Sequence, residues 1–294
     1  PDPNGQSSIV ASASEGSTLQ AQNLRLQSDT FGPADFGYGA IDGKAGALSV
    51  TAASGGIITI ADDISIRATG TGGRGSSFDG AAGFGGTVVV SATGGSIGAS
   101  TLNVDADGRG GDTGYGDIGG SGQGGSVQIV ATGGQLDFGQ VDVSADGLGG
   151  YSDFGRGGSG MGGSTSLLLT GGSLDASSVS IEANGFGSDG STGSGAGQGG
   201  AVSIAANASS SFFAGNGVDL SAVGEAGAAF DSEAALGDGT GGTITIAIDA
   251  STLSMGEGSL EATANGSGGF SNSYNPSTGR GGTISVTVDC LDPN

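Results

Sequence analysis

The chain has no histidine, no tryptophan, one cysteine and only seven lysines and arginines among its 294 residues. Each shortage closes off a class of chemistry. Without histidine there is no Ser-His-Asp triad, no imidazole general base and no histidine-ligated metal. Cys290 alone forms neither an intrachain disulfide nor a thiolate zinc site. Seven basic residues against 29 acidic ones give a formal charge of −22 at pH 7. That balance argues against nucleic acid or an anionic bilayer as the main partner, since both need clustered Lys and Arg. Apolar runs are only a few residues long, too short for insertion into a membrane. No charged-then-apolar leader opens the chain at Pro1, so an export signal is expected to lie outside this segment or to have been removed.

What is abundant is glycine, 68 residues of it. Together with five prolines this is about a quarter of the chain, the edge of what reads as low complexity. The glycines are nevertheless periodic. From Thr87 the chain reads TVVVSATGG, SIGAS and TLNVDADG, followed by a glycine-rich stretch. From Ser126 it reads SVQIVATGG, QLDFGQ and VDVSADG, and from Ser164 STSLLLTGG, SLDASS and VSIEANG. Units of this kind cover 7–46, 47–86, 87–125, 126–163, 164–200, 201–242 and 243–282, with a partial one at 283–294. Self-similarity at about 40 residues is the mark of a stacked-repeat architecture rather than of separate domains.

Within a unit the period is two. Val88, Val90 and Ala92 hold one phase of the first segment, and Val127, Ile129 and Ala131 hold the same phase one unit on. Leu102, Val104 and Ala106 do so in the third segment, as do Val141, Val143 and Ala145. Such alternation predicts half-buried strands, and no stretch has a convincing helical period. Gly94-Gly95 and its equivalents predict a corner after the first strand, and a short second strand follows it. Asp107-Gly108, Asp146-Gly147 and Asn184-Gly185 are expected to end the third strand in a backbone of positive φ. Three short strands in about 21 residues, repeated in register, predict one turn of a parallel β-helix, a β-solenoid of seven to eight rungs. At about 4.8 Å per rung it would be on the order of 35 Å long.

The remaining 16 to 19 residues of each unit form a glycine-rich arm. Of the 15 Phe and Tyr residues, 12 lie in arms: Phe31, Phe36, Tyr38, Phe78, Phe84, Tyr115, Tyr151, Phe154, Phe186, Phe230, Phe270 and Tyr274. A floppy linker is aromatic-poor. The arms are therefore expected to form an ordered second layer of polyproline-II-like chains, with aromatics packing from copy to copy.

Candidate sites lie on the outward side of the third strand. Asp105, Asp107, Asp142 and Asp146, with Glu182, Asp219 and Glu261, stack acid over acid at rung spacing. Stacked carboxylates are a place for Ca²⁺, and Asp105, Asp107, Asp142 and Asp146 are the candidate ligands. The opposing reading is that Asx-Gly turns favour Asp and Asn for backbone reasons and that acids confer solubility. The arms also lack the tandem nonapeptide of calcium-binding solenoids. Catalysis needs a break in the repeat that gathers unusual residues on adjacent rungs. The seven basic residues, Arg25, Lys44, Arg67, Arg74, Arg109, Arg156 and Arg280, read instead as scattered. No enzyme is expected, although carboxylate pairs of the kind glycosidases use are plentiful. Ser and Thr on the outward side of the first strand, such as Thr87, Ser91 and Thr93, admit an ice- or glycan-binding face, interrupted by Val89, Gln128, Val130 and Leu168.

The ends bear on assembly. Asp2-Pro3-Asn4 recurs as Asp292-Pro293-Asn294, and the last unit stops after its first strand. Either the chain is a segment of a longer repetitive one, or copies stack end to end; both make a fibre. Cys290 reads as a small packed side chain, with an intermolecular bridge as the alternative.

The frame GG[ST]-V-x-V-x-A-T-G-G-S-[IL]…[LV]-x-V-x-A-x-G-x-G-G, at 86–111 and 125–150, resembles the large secreted repetitive β-helix proteins of Gram-negative bacteria. These are the filamentous-haemagglutinin-like adhesins and related β-strand-repeat surface proteins. The resemblance covers nearly the whole chain and departs from that pattern in the long arms. It implies an exported, non-catalytic rod at the cell surface, used for adhesion or biofilm matrix and partnered by itself and by surface glycans.

Overall fold

A computed structural model describes residues 8–34, 39–231, 234–271 and 277–289. Phe36, Tyr38, Tyr274, Cys290 and both Asp-Pro-Asn tripeptides lie outside them. Among the described residues there is no helix, and all sheets run parallel from rung to rung. The chain is a β-solenoid of about seven turns.

Its core lies between two sheets. The front sheet has eight strands, one per rung, from Ser8–Ala13 through Thr87–Thr93 and Ser126–Thr132 to Thr283–Asp289. The back sheet has 11 strands and carries the second and third segments. The period-two phase is kept throughout: Val88 pairs with Val127, Val90 with Ile129 and Ala92 with Ala131. From the back sheet Ile97, Leu102 and Val104 meet them, all at most 1% exposed. Because every rung repeats the phase, each apolar side chain rests on a similar one above and below. That is how a unit too thin to bury its own face acquires a core. One hydroxyl enters the ladder: Thr165, between Val127 and Val202, is buried and its Oγ1 has no hydrogen-bond partner.

The structure departs from the sequence expectation at the second and third strands. In the three central rungs they are single ten-residue strands, Ser96–Asp105, Gln135–Ser144 and Ser173–Glu182. Only a local break in pairing marks the expected turn, at Ser100 and Gly139. The corner after the first strand is as expected, with Gly94 at φ 63° and Gly133 at φ 57°.

The described residues of the arms pair from rung to rung. Each has an outbound leg, with dipeptides such as Gly108–Arg109 and Gly147–Leu148, and a return leg, with dipeptides such as Gly122–Gln123 and Gly160–Met161. Each kind of leg stacks into its own seven-stranded sheet. Amide groups of one leg point both along the rod and across to the other leg. Gly110 N donates to Leu148 O in the next rung (2.8 Å), whereas Gly111 N donates to Ala81 O of a return leg (2.8 Å). Two donor directions suit an extended chain of three residues per turn, which makes no hydrogen bonds within itself. The cross-leg bonds form a zigzag stitch: Gly111 to Ala81, Gly120 to Gly111, Gly150 to Gly120 and Gly158 to Gly150, each 2.8 Å.

This stitch explains two further departures. Gly108, Gly147 and Gly185, the glycines that end the third strand, do not have positive φ. Gly147 is needed instead because a Cβ there would lie 1.9 Å from the Met161 carbonyl oxygen of the facing leg. Where backbone lies that close to backbone no side chain fits between the legs; elsewhere in the arms the buried side chains include small ones such as Thr113, Ser152 and Ser194, and several aromatics are turned outward. Phe78, Tyr115, Phe154, Phe230 and Phe270 are all exposed. Tyr115 and Phe154, on neighbouring rungs, stack with centroids 5.2 Å apart and planes 6° from parallel.

Candidate functional site

The acids stand where the chain leaves the back sheet for the arm. There the regular strand pairing ends, and an amide that loses its place in the ladder needs another acceptor. A side chain one rung below supplies it. The Asp146 N–H donates to Asp107 Oδ1 (2.7 Å), the Asn184 N–H to Asp146 Oδ1 (2.6 Å) and the Val223 N–H to Asn184 Oδ1 (2.8 Å). Asp29 Oδ1 serves Thr69 in the same way, accepting from its N–H (3.2 Å) and hydroxyl (2.7 Å). The device recurs in the arms: Asp42 accepts from the Ala82 amide, Asp79 from Ile118, Asp112 from Tyr151, Asp189 from Ala228 and Asp238 from Thr278. Sequence reasoning had the stacking of these acids but missed this role. Its signal was that Asp and Asn substitute for one another at equivalent positions, as at Asp146 and Asn184.

The stacking has an electrostatic cost. Burial pushes the Asp146 carboxyl up to about 7, and the charges of Asp107 and Glu182 add to the rise against the hydrogen bond from Asn184. Burial, then the charge of Asp107, raises Asp105 to about 6. Glu182 is raised by burial and by Asp219, Asp107 and Asp142. Asp29 goes the other way: burial pulls it up, but hydrogen bonds from Thr69 and Gln27 and the charge of Arg67 outweigh that and hold it below the ordinary value.

These shifts set a pH dependence. A carboxyl raised in the folded state contributes stability fully below the unfolded value near 3.8, and that contribution is lost as pH rises through about 6 to 7. The protein is therefore expected to melt higher at pH 5 than at pH 8, by on the order of 5 °C. Asp146→Asn keeps the Oδ1 acceptor, as Asn184 does naturally, while removing the charge. It is expected to raise Tm at pH 8 and flatten the profile between pH 5 and 8. A melting series in which the variant keeps the wild-type slope would refute this assignment.

Of the four candidate calcium ligands, Asp105, Asp107 and Asp142 border one shallow depression of about 320 Å³ together with Glu182, whereas Asp146 is not among its walls. Asp142 accepts from Gln140 Nε2 at 2.8 Å. Among the described residues no three or more acidic or cysteine side chains gather closely enough to hold a metal ion.

The basic residues are not all scattered. Arg67, Arg74 and Arg109 line one groove of about 500 Å³ in the angle between the back sheet and the outbound legs. Arg67 and Arg74 belong to one rung and Arg109, 35 residues after Arg74, to the next, since Thr71 pairs with Arg109 and Arg67 with Asp105. Arg67 Nε lies 3.4 Å from both Asp29 Oδ2 and Asp105 Oδ2. Among the described residues neither Arg74 nor Arg109 is in an ion pair. Phe31, 73% exposed, stands in the groove one rung before Thr71, and Leu148 one rung after Arg109.

No protein-family model, no curated protein and no solved structure matches the chain.

Proposed function

We propose that the chain is a structural element of an extracellular bacterial fibre, a protomer or segment of a surface rod of the filamentous-adhesin kind, and not an enzyme. The observation that carries this reading is the unbroken register of the solenoid. The strand Thr283–Asp289 pairs with Thr243–Asp249 in the register used throughout the front sheet. Its Ile284, Val286 and Val288 keep the phase that is buried on every interior rung. A further rung, from any continuation of the chain or from another copy, would fit there by the same pairing. A head-to-tail contact of this kind does not close on itself and propagates as a filament. Negative-stain microscopy of concentrated protein is expected to show filaments whose axial repeat is about 35 Å or a multiple of it. Val286→Asp places a charge in the ladder and is expected to abolish them. Discrete particles at every concentration, or filaments indifferent to Val286→Asp, would count against the proposal.

A further inference from the structure

The groove formed by Phe31, Arg67, Arg74 and Arg109 departs from the regularity of the rest of the rod. We infer that it is a binding site for an acidic oligosaccharide, a chain of sugar rings carrying carboxylates.

Four observations support this. First, its volume of about 500 Å³ falls within the range of roughly 300–1,000 Å³ typical of ligand sites. Second, the charges in it are unevenly committed. Arg67 is held by Asp29 and Asp105. Asp107 accepts from the Asp146 amide and the Ser144 hydroxyl, and Asp112 from the Tyr151 amide. Among the described residues that leaves the guanidinium groups of Arg74 and Arg109 as the groove's charged groups in no ion pair or side-chain hydrogen bond, in a chain where acids outnumber bases 29 to seven. A planar fork of donors matches a carboxylate in two parallel hydrogen bonds.

Third, Phe31 offers an exposed ring two rungs from Arg109, about 9.6 Å along the rod. An aromatic face beside polar groups suits a ligand with an apolar ring face and a hydroxylated edge. Phe31 is too distant for a lone inorganic anion on Arg109 to engage both. Fourth, Asp105 and Asp112 border the same groove and add acceptors for sugar hydroxyls. The net charge of −22 does little to repel an acidic ligand at a distance, because at physiological ionic strength charges more than about 8 Å away are largely screened.

The inference goes beyond the structural reading and does not depend on it: the groove lies on the flank of the rod, away from the Val286 surface. Titration calorimetry with a galacturonic acid tetramer tests it. The tetramer is expected to bind saturably, and its fully methyl-esterified form at least tenfold more weakly. Arg74→Ala, Arg109→Ala and Phe31→Ala are each expected to weaken binding about tenfold. Arg25→Ala, an exposed arginine outside the groove, is expected to leave it unchanged. The double variant Arg74→Lys/Arg109→Lys keeps both charges without the planar forks, so it should fall between wild type and the alanine variants. Absence of saturable binding, equal binding of the methyl ester, groove variants that bind like wild type, or a loss with Arg25→Ala as large as with Arg109→Ala would each overturn the inference. Filament formation by the same variants is scored separately by microscopy, so failure of either reading is recognised without the other.

Discussion

Replacing Gly147 with alanine is expected to destabilise the protein by about 3 kcal/mol or more, lowering Tm by on the order of 10 °C, although it adds only one methyl group. The added Cβ would lie 1.9 Å from Met161 O, 2.4 Å from Met161 C and 2.6 Å from Met161 N. All three are backbone atoms, so no side chain can rotate out of the way. The legs must separate, and the neighbouring stitch, in which Gly150 donates to Gly120 and Gly158 to Gly150, is lost with them. Gly98→Ala is the matched control. Its Cβ would meet nothing nearer than 3.5 Å, at Asp137 O, so it is expected to be neutral or slightly stabilising through the lower entropy of the unfolded chain. Equal melting of the two variants would show that the legs are not in backbone contact.

Phe212→Ala should have an effect of similar size by the opposite means. Phe212 is among the largest side chains that are fully buried, 1% exposed, and its strand lies between those of Leu174 and Leu253. Truncation of a buried phenylalanine costs about 3–5 kcal/mol. In a solenoid the loss is local, because each rung contacts only its neighbours. The rungs beyond Ser211–Ala214 are therefore expected to melt first, splitting one calorimetric transition into two. A single transition shifted as a whole would mean that cooperativity spans the full rod.

Much of the fold was legible in the sequence because its cause is local and repeated. Val88, Val90 and Ala92 recur in phase unit after unit, and only stacking buries such a pattern. The arms were legible as ordered chain but not in their interior. Aromatic residues are ordinarily where packing happens, and the sequence does not reveal that the legs approach to backbone contact, which turns Tyr115 and Phe154 outward. The same contact accounts for Gly108, Gly147 and Gly185, where positive φ was the natural expectation from Asx-Gly. The groove was hidden by distance along the chain: Arg74 and Arg109 look isolated until the repeats are written in columns and Thr71 falls beside Arg109. The acids stood in the right columns, but their service to the amide one rung above is geometric. Only the interchange of Asp146 and Asn184 hinted at it.

The two-residue steps of the legs have a consequence for how such a chain can diversify. In all but the first outbound step, Thr30–Phe31, glycine faces the opposite leg and the second residue is exposed or half-buried: Thr71, Arg109, Leu148 and Phe186 on one side, Lys44, Phe84, Gln123 and Met161 on the other. The backbone holds itself together without consulting these side chains, so their identity is nearly free of folding constraint. The legs thus amount to a keyboard of fixed pitch, on which a lineage could rewrite its surface chemistry one residue at a time while the scaffold beneath stays the same.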